Sequence, residues 1–308
     1  MDAQLAIDAH DVLGEGPVWD EAARRFLWTD NATGTVHAAR FQQDRGWFEE
    51  RQWCLHRPLG HVVPCRHGGL VVASGTEILR LDEDTGQLTT WARLPADPQQ
   101  VVCNEIKCDR SGRLWVGTRA HNLSSPQGAL YRIDAHGEVV TVLEGVTIAN
   151  GMEWSPDDKT FYFIDSYTLA VDAFNFNLER GTLSQRHRVV SFAKGTGAPD
   201  GMTVDRQGNL WIAVAGTGEV QRYTPAGERL EGIRTSAPLV TSCALGGYDG
   251  RDFWITSAAI TLPPEALTVM GFSVQESQGW VAAPGAGGVF CCRVGTGGLP
   301  STPYAAEW

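Results

Sequence analysis

The segment Asp109-Arg110-Ser111-Gly112-Arg113-Leu114-Trp115-Val116 joins a polar turn to an apolar, aromatic strand. Five other segments repeat the strand part of this pattern: Arg25-Phe26-Leu27-Trp28, Gly69-Leu70-Val71-Val72, Thr160-Phe161-Tyr162-Phe163, Asn209-Leu210-Trp211-Ile212 and Asp252-Phe253-Trp254-Ile255. The intervals between their anchors are 43, 44, 47, 49 and 43 residues, counted from Leu27, Leu70, Leu114, Phe161, Leu210 and Phe253. A four-stranded propeller blade has this length. The sequence therefore predicts an all-β fold, a six-bladed β-propeller with four-stranded blades around a central channel.

The ends of the chain are expected to close this ring together. The sixth repeat lacks one strand before the sequence ends, and residues 4–9 form an alternating segment that could supply it. Such closure would remove the exposed edge of an open sheet. The only helical pattern lies at residues 264–270, where we expect one helical turn at most. Six repeats of about 45 residues occupy nearly all of residues 1–308, which predicts a single propeller domain.

Composition argues against several classes of partner. The formal net charge of -11 argues against nucleic-acid binding, which depends on clusters of Lys and Arg. No stretch approaches the roughly 18 apolar residues of a membrane span, and the N-terminus lacks a basic region followed by an apolar run. The seven cysteines are an odd number without a CxxC spacing, which favours free thiols in a reducing compartment. We therefore expect a cytoplasmic protein that binds neither nucleic acid nor membranes.

A polar residue lies roughly ten positions before each anchor. Equivalent positions of a radial repeat lie at equivalent places around its axis, so these side chains are expected to converge in the channel. They are Glu15, His61, Asn104, Asn150, Asp200 and the pair Thr241-Ser242.

Three of these residues, Glu15, Asn150 and Asp200, offer two carboxylates and one amide oxygen. Such donors suit a hard divalent cation, with other positions left to water or substrate. Each also has a purely structural interpretation, because Asn-Gly and Asp-Gly are ordinary turn dipeptides and a glutamate between glycines is usually solvated. Their common phase favours a site. Asn104 is assigned to substrate or outer coordination, whereas His61 could be a packing residue, a substrate contact or part of the channel wall.

Several motifs resemble those of the SMP-30/gluconolactonase/regucalcin family. They cover essentially the whole chain and comprise 13-LGEGPVW-19, Asn104 with 109-DRSGRLWVGT-118, 128-GALYR-132, 148-IANGM-152, 198-APDGMTVD-205, 241-TSCA-244 and 287-GGVF-290. The resemblance implies a six-bladed propeller that holds a single divalent cation with Glu15, Asn150 and Asp200. It also implies that Asn104 helps to hold the substrate or a metal-bound water.

The sequence departs from the family pattern near the implied substrate site. Many sugar lactonases of the family carry Arg-x-Asn-Asp where this chain has Val102-Cys103-Asn104-Glu105. The arginine that grips substrate hydroxyls is therefore missing at Val102. After Gly117-Thr118 this chain continues with Arg119-Ala120-His121-Asn122, so Arg119 or His121 could compensate. The residues predicted to bind substrate are Asn104, His61, Arg119, His121 and Asn122.

The resemblance implies a metal-dependent hydrolase that opens a sugar (aldono-) lactone to the aldonic acid. A bound cation would polarise the ring carbonyl, and Asp200 would act as general base on the attacking water. The chain has no Gly-x-Ser-x-Gly elbow that would indicate a covalent route. One divalent ion is expected, with Ca²⁺, Zn²⁺, Mn²⁺, Mg²⁺ and Fe²⁺ all compatible with the donors. The alternatives are a metal-dependent phosphoesterase using the same residues and a non-catalytic calcium-binding propeller.

Overall fold

The described residues, 1–44 and 46–307, form six antiparallel sheets of four strands each in a computed structural model. This confirms the six-bladed propeller. The first three blades comprise β2 (Gly14–Asp20), β3 (Arg25–Asp30), β4 (Thr35–Gln42) and β5 (Gly46–Cys54); β6 (Val62–Pro64), β7 (Leu70–Ser74), β8 (Glu77–Leu81) and β9 (Leu88–Arg93); β10 (Val101–Cys108), β11 (Leu114–Ala120), β12 (Gly128–Ile133) and β13 (Val139–Val146).

The last three blades continue the same order. They comprise β14 (Ala149–Trp154), β15 (Thr160–Asp165), β16 (Ala170–Asn177) and β17 (Thr182–Ser191); β18 (Ala198–Val204), β19 (Leu210–Ala215), β20 (Glu219–Tyr223) and β21 (Arg229–Arg234); β22 (Val240–Gly246), β23 (Asp252–Ser257) and β24 (Val289–Arg293), with β1 (Gln4–Ile7) as the fourth strand.

The first strand of the chain lies at the outer edge of the sixth sheet. Strand β1 pairs antiparallel with β24, with Gln4 opposite Cys291 and Leu5 opposite Phe290. The pairing ends at Ile7, two residues earlier than expected from the sequence. The innermost strands of the six blades surround the axis, and β2 contacts both β6 and β22. The first and last strands thus share one blade, while the residues after β24 continue along other blades, where Tyr304 donates to Pro64 and Glu307 to Ala135.

Aspartates fix two of the repeated turns to the hydrophobic core. Asp109 accepts hydrogen bonds from the backbone of Ser111 and Arg113 and from the indole nitrogen of Trp115. Asp205 does the same for its own turn and for Trp211. The tryptophan rings are buried in the core, as the sequence predicted. The repeated turn is therefore stabilised by a buried carboxylate as well as by its glycine.

Two helices lie between β23 and β24. Helix α1 spans Pro264–Met270 and helix α2 spans Val274–Val281. Ser273 forms a capping box with Glu276, which fixes the first turn of α2. The expectation of one helical turn at most was wrong, because it overlooked this cap and the apolar residues that each helix buries against the blades. Neither of these helices, nor any other helix in the described residues, is long and apolar enough to cross a membrane.

A buried histidine of the first blade, His37 on β4, joins two carboxylates. His37 stacks on Trp28, with ring centroids 4.7 Å apart, and its Nδ1 lies 2.5 Å from Oε1 of Glu49. Its Nε2 lies 3.2 Å from Oδ1 of Asp11. Burial lowers the pKa of His37, but the hydrogen bonds and charges of Asp11 and Glu49 outweigh it and raise this pKa to about 9. The imidazolium is therefore the form that the fold stabilises.

We expect this histidine to make stability depend on pH between about 6.5 and about 9. The folded state holds the proton of His37 more tightly than the unfolded state does. The stabilisation is therefore complete below the pKa of His37 in the unfolded state and is lost as pH rises through its pKa in the folded state. The shift corresponds to on the order of 3 kcal/mol. Chemical denaturation of the wild type and His37→Gln at several pH values checks this. The free energy of unfolding should fall with rising pH in the wild type, and this fall should be absent in the variant. Parallel curves for the two proteins would contradict the assignment.

Candidate functional site

A cavity of about 260 Å³ opens at one end of the central channel. Its polar lining comes from the beginnings of inner strands. Glu15 is the second residue of β2, Asn150 the second of β14, Asp200 the third of β18 and Thr241 the second of β22. Asn104 reaches the same cavity from β10. The structure thus brings together Glu15, Asn104, Asn150 and Asp200, as the repeat phase predicted.

A β-bulge accompanies each of these polar residues. The register with the second strand shifts between Glu15 and Val18 in β2, and between Cys103 and Ile106 in β10. The inner strands of the other three blades shift at 149–152, 199–202 and 240–242. A bulge interrupts the alternation of a strand and redirects a side chain. The bulges therefore explain how one residue from each of five strands turns into the cavity.

Glycines allow the inner strands to approach closely at this level. A Cβ on Gly151 would lie 2.7 Å from the carbonyl oxygen of Asp200, and one on Gly201 would lie 2.0 Å from Oγ of Ser242. Both glycines lie inside strands, so the interpretation of Asn150-Gly151 and Asp200-Gly201 as ordinary turns is wrong. The glycine after the polar residue is required by the close packing of adjacent blades.

A hydrogen-bond chain orients the two amides. Nδ2 of Asn104 donates to Oδ1 of Asn150 at 2.8 Å and to the carbonyl of Ala149 at 2.8 Å. Nδ2 of Asn150 donates to Oγ of Ser166 at 2.7 Å, and that hydroxyl donates to the carbonyl of Pro199. Both donors of Asn104 are thus engaged, and the amide of Asn150 is fixed between Asn104 and Ser166.

One of the two carboxylates of the cavity, Asp200, has an oxygen without a hydrogen bond, whereas Oε2 of Glu15 accepts from the backbone of Gly16 and lies 3.4 Å from Nε2 of His61. Oδ1 of Asp200 is shielded from solvent and has no hydrogen-bond partner among the described residues. Burial raises the pKa of Asp200 well above its ordinary value, and the charge of Glu15 raises it further. A divalent cation would relieve both the desolvation and the repulsion. The two carboxylates and the amide oxygen of Asn150 fit a hard cation. Because only two of these three donors are carboxylates, the site is not a cluster of three Asp, Glu, His or Cys side chains, and the described residues contain no such cluster suited to a metal.

His61 lies behind Glu15 rather than in the cavity. Its Nδ1 is 2.8 Å from Oε1 of Glu105 and its Nε2 is 3.4 Å from Oε2 of Glu15. It lines a second, smaller cavity that lies farther along the inner strands. The prediction that His61 contacts substrate is therefore corrected: the ring is enclosed between two carboxylates and supports Glu15. Burial lowers its pKa, but Glu105 and Glu15 outweigh this and raise it to about 10.

Glu105 was missed in the sequence. It is buried on β10 next to Asn104, in a strand that otherwise consists mainly of apolar residues. Strand alternation places successive side chains on opposite faces, but the bulge at this point turns both Asn104 and Glu105 toward the axis. A carboxylate within a buried strand was the available signal, since such a group needs a partner.

Arg119 reaches the cavity from the second strand of the third blade. It lies directly opposite Val102 in the ladder, and its Nε donates to Oδ1 of Asn104 at 3.3 Å. Among the described residues no carboxylate lies within ion-pair distance of its guanidinium. Burial lowers the pKa of Arg119, and the charge of Glu15 opposes this effect. Arg119 therefore supplies a guanidinium beside the position where sugar lactonases of the resembled family carry their arginine.

The structure does not place His121 and Asn122 among the residues that line the cavity, and their role in substrate binding stays a prediction. Strand β11 ends at Ala120, and both residues lie exposed in the turn after it. Nε2 of His121 is 3.1 Å from the carbonyl of Pro98. The side chain of Asn122 accepts from the backbone of Ser124 and Ser125 and so holds its own turn. The next residue, Leu123, is the one that lines the cavity.

Comparisons with known proteins show the family to which the chain is similar. Residues 13–259 match the model of the SMP-30/gluconolactonase/LRE-like region. The chain is 34% identical over 267 residues to regucalcin from Danio rerio, covering 86% of this chain and 89% of that protein. It is 33% identical over 302 residues to regucalcin from Sus scrofa, covering 95% and 94%.

Solved structures share the fold. A calcium-binding regucalcin from Agrobacterium tumefaciens superposes with a TM-score of 0.85 at 23% identity, covering 98% of this chain and 97% of that one. A gluconolactonase from Xanthomonas campestris gives a TM-score of 0.69 at 24% identity, covering 83% and 87%. The fold and site define a six-bladed propeller with an oxygen-rich cluster at one mouth of its channel. The chain belongs to the SMP-30/gluconolactonase/LRE-like family.

Proposed function

We propose that this protein is a divalent-cation-dependent lactonase, which hydrolyses a cyclic ester to a hydroxy acid. The observation that carries the proposal is the pair of carboxylates, Glu15 and Asp200, which meet in one cavity with an unpartnered Oδ1 on Asp200. Glu15, Asn150 and Asp200 would hold the cation. When bound, the cation supplies Lewis-acid polarisation of the ester carbonyl.

The side chains of the site can perform the remaining steps. Asp200 accepts a proton from the attacking water, whose oxygen bonds to the carbonyl carbon. The bond from that carbon to the ring oxygen then breaks, and the proton passes to the ring oxygen, which becomes the hydroxyl of the product. Arg119 lies where its terminal nitrogens can orient the oxygens of the lactone, and Asn104 positions the guanidinium by accepting from its Nε. The resemblance to gluconolactonases makes an aldono-lactone the first substrate to consider.

A cation-binding protein without turnover is the second candidate. A solved relative at 23% identity is described as a calcium-binding protein, and the same residues would hold the ion in either case. The two candidates differ in whether a chemical step occurs once the ion is bound. Only the lactonase needs Asp200 as a base, and only the lactonase needs a cavity that admits water and an ester next to Asp200.

Adding Ca²⁺, Mn²⁺, Zn²⁺ or Mg²⁺ to metal-stripped protein is expected to raise its melting temperature by several degrees for the ion that fits. A ligand at 100 times its dissociation constant stabilises the folded state by about 2.7 kcal/mol. Glu15→Gln should lose most of this shift, while the exposed Glu265→Gln should keep it. A shift of equal size in Glu15→Gln would contradict the site.

Acid release from lactones, followed with a pH indicator, separates the two candidates. The lactonase predicts release that depends on the stabilising ion. A phosphotriester in the same assay examines the phosphoesterase alternative. Binding of the ion without turnover of any ester would exclude the lactonase and support the cation-binding candidate.

A further inference from the structure

One wall of the cavity is apolar and is built by the insertion in the sixth blade. Helix α1 presents Ala266, Val269 and Met270, which are spaced at i, i+3 and i+4 and so lie on one helical face. Leu239, Ile260 and Leu262 extend this surface. The charged residue of α1, Glu265, is exposed and does not line the cavity. The cavity therefore has an aliphatic surface next to its carboxylates.

Most polar groups that line the cavity are already engaged with the protein. Thr241 donates its hydroxyl to the carbonyl of Gly14, and Ser166 donates to Pro199 while accepting from Asn150. Both donors of Asn104 are used within the hydrogen-bond chain. The carboxylates of Glu15 and Asp200 would hold the cation, so the side-chain donors left for the substrate are the terminal nitrogens of Arg119. The cation and this guanidinium together can serve one ester function and few hydroxyl groups.

We propose that the substrate is a lactone that carries an apolar substituent, such as a short alkyl chain, seated against α1. This inference rests on the lactonase proposed above. The ester would lie at the carboxylate end, and the substituent would cover the Ala266, Val269 and Met270 face. A polyhydroxylated ring would instead place hydroxyl groups against methyl groups, where they lose water without gaining partners. The cavity, of about 260 Å³, has room for a small ring with a short chain.

The experiment compares three δ-lactones with the same ring and the cation-loaded protein. δ-Valerolactone has no substituent, δ-decanolactone has a pentyl chain, and δ-gluconolactone carries hydroxyls. Because each buried methylene favours binding severalfold, kcat/KM should be at least tenfold higher for δ-decanolactone than for δ-valerolactone. It should be lowest for δ-gluconolactone. Rates with Asp200→Asn protein serve as the blank for spontaneous opening.

Val269→Asn tests the wall itself. It places an amide on the helical face, and the ratio of kcat/KM between δ-decanolactone and δ-valerolactone should fall about tenfold. Glu265→Gln, on the exposed side of the same helix, should leave the ratio unchanged. A preference for δ-gluconolactone over both other lactones would overturn the apolar-substrate inference while leaving the lactonase intact. Failure to open any lactone with any ion would overturn the lactonase, and the inference with it.

Discussion

Asp200→Asn is expected to reduce kcat for lactone opening by at least a factor of about 10³. The substitution keeps the size of the side chain and one carbonyl oxygen, but an amide does not accept the proton of the attacking water. General-base catalysis alone contributes roughly 10²–10⁴ in rate. Asp200 would also hold the cation, and weaker cation binding adds to the loss. Steady-state rates at increasing cation concentration separate these two effects.

The expected result is that saturating cation restores binding of the ion but not turnover. Asp84→Asn is the control, since Asp84 is exposed in the connection between the outer strands β8 and β9. Its kcat should match that of the wild type within twofold. An Asp200→Asn protein that recovers more than a tenth of the wild-type kcat at saturating cation would show that Asp200 is only a cation ligand. The base would then have to be sought elsewhere in the cavity.

The blades and most of the polar cluster could be predicted because both follow from the repeat. An interval of 43 to 49 residues defines a blade, and residues in the same phase of successive blades must lie at the same height around the axis. Glu15, Asn150 and Asp200 obey this rule and line the same cavity. The helices α1 and α2 break the repeat, so the rule gave no information about the apolar wall that they build.

The failures trace to local backbone geometry that a repeat does not encode. His61 has the right phase, but it precedes a three-residue strand and packs behind Glu15 instead of beside it. Glu105 was overlooked because strict alternation would turn it away from the axis, and the bulge at 103–106 reverses this. His121 and Asn122 follow Arg119 closely in sequence, yet the end of β11 sends them to the surface. A residue in the right phase of the repeat, or close in sequence to a residue of the site, therefore does not necessarily line the cavity.

Asp205→Ala is expected to destabilise the protein by about 3–5 kcal/mol, the largest effect on folding that we predict. Asp205 is fully buried and accepts hydrogen bonds from the backbone of Gln207 and Asn209 and from Nε1 of Trp211. It also pairs with Arg222 at 2.7 Å. Alanine leaves the indole donor without its acceptor, leaves the guanidinium only its hydrogen bond to Oε1 of Gln207, and frees the turn.

At roughly 2 °C per kcal/mol for a chain of this size, the melting temperature should fall by about 6–10 °C. Calorimetry or denaturant unfolding measures this directly. Asp84→Ala removes an exposed carboxylate and should change stability by less than about 0.5 kcal/mol. Asp205→Asn keeps an acceptor for the turn and the indole but loses the charge opposite Arg222, so its stability should lie between alanine and wild type. If the alanine variant melts within about 2 °C of the wild type, a difference that corresponds to roughly 1 kcal/mol, the buried carboxylate is not what holds the turn to Trp211, and the apolar packing of the tryptophan suffices.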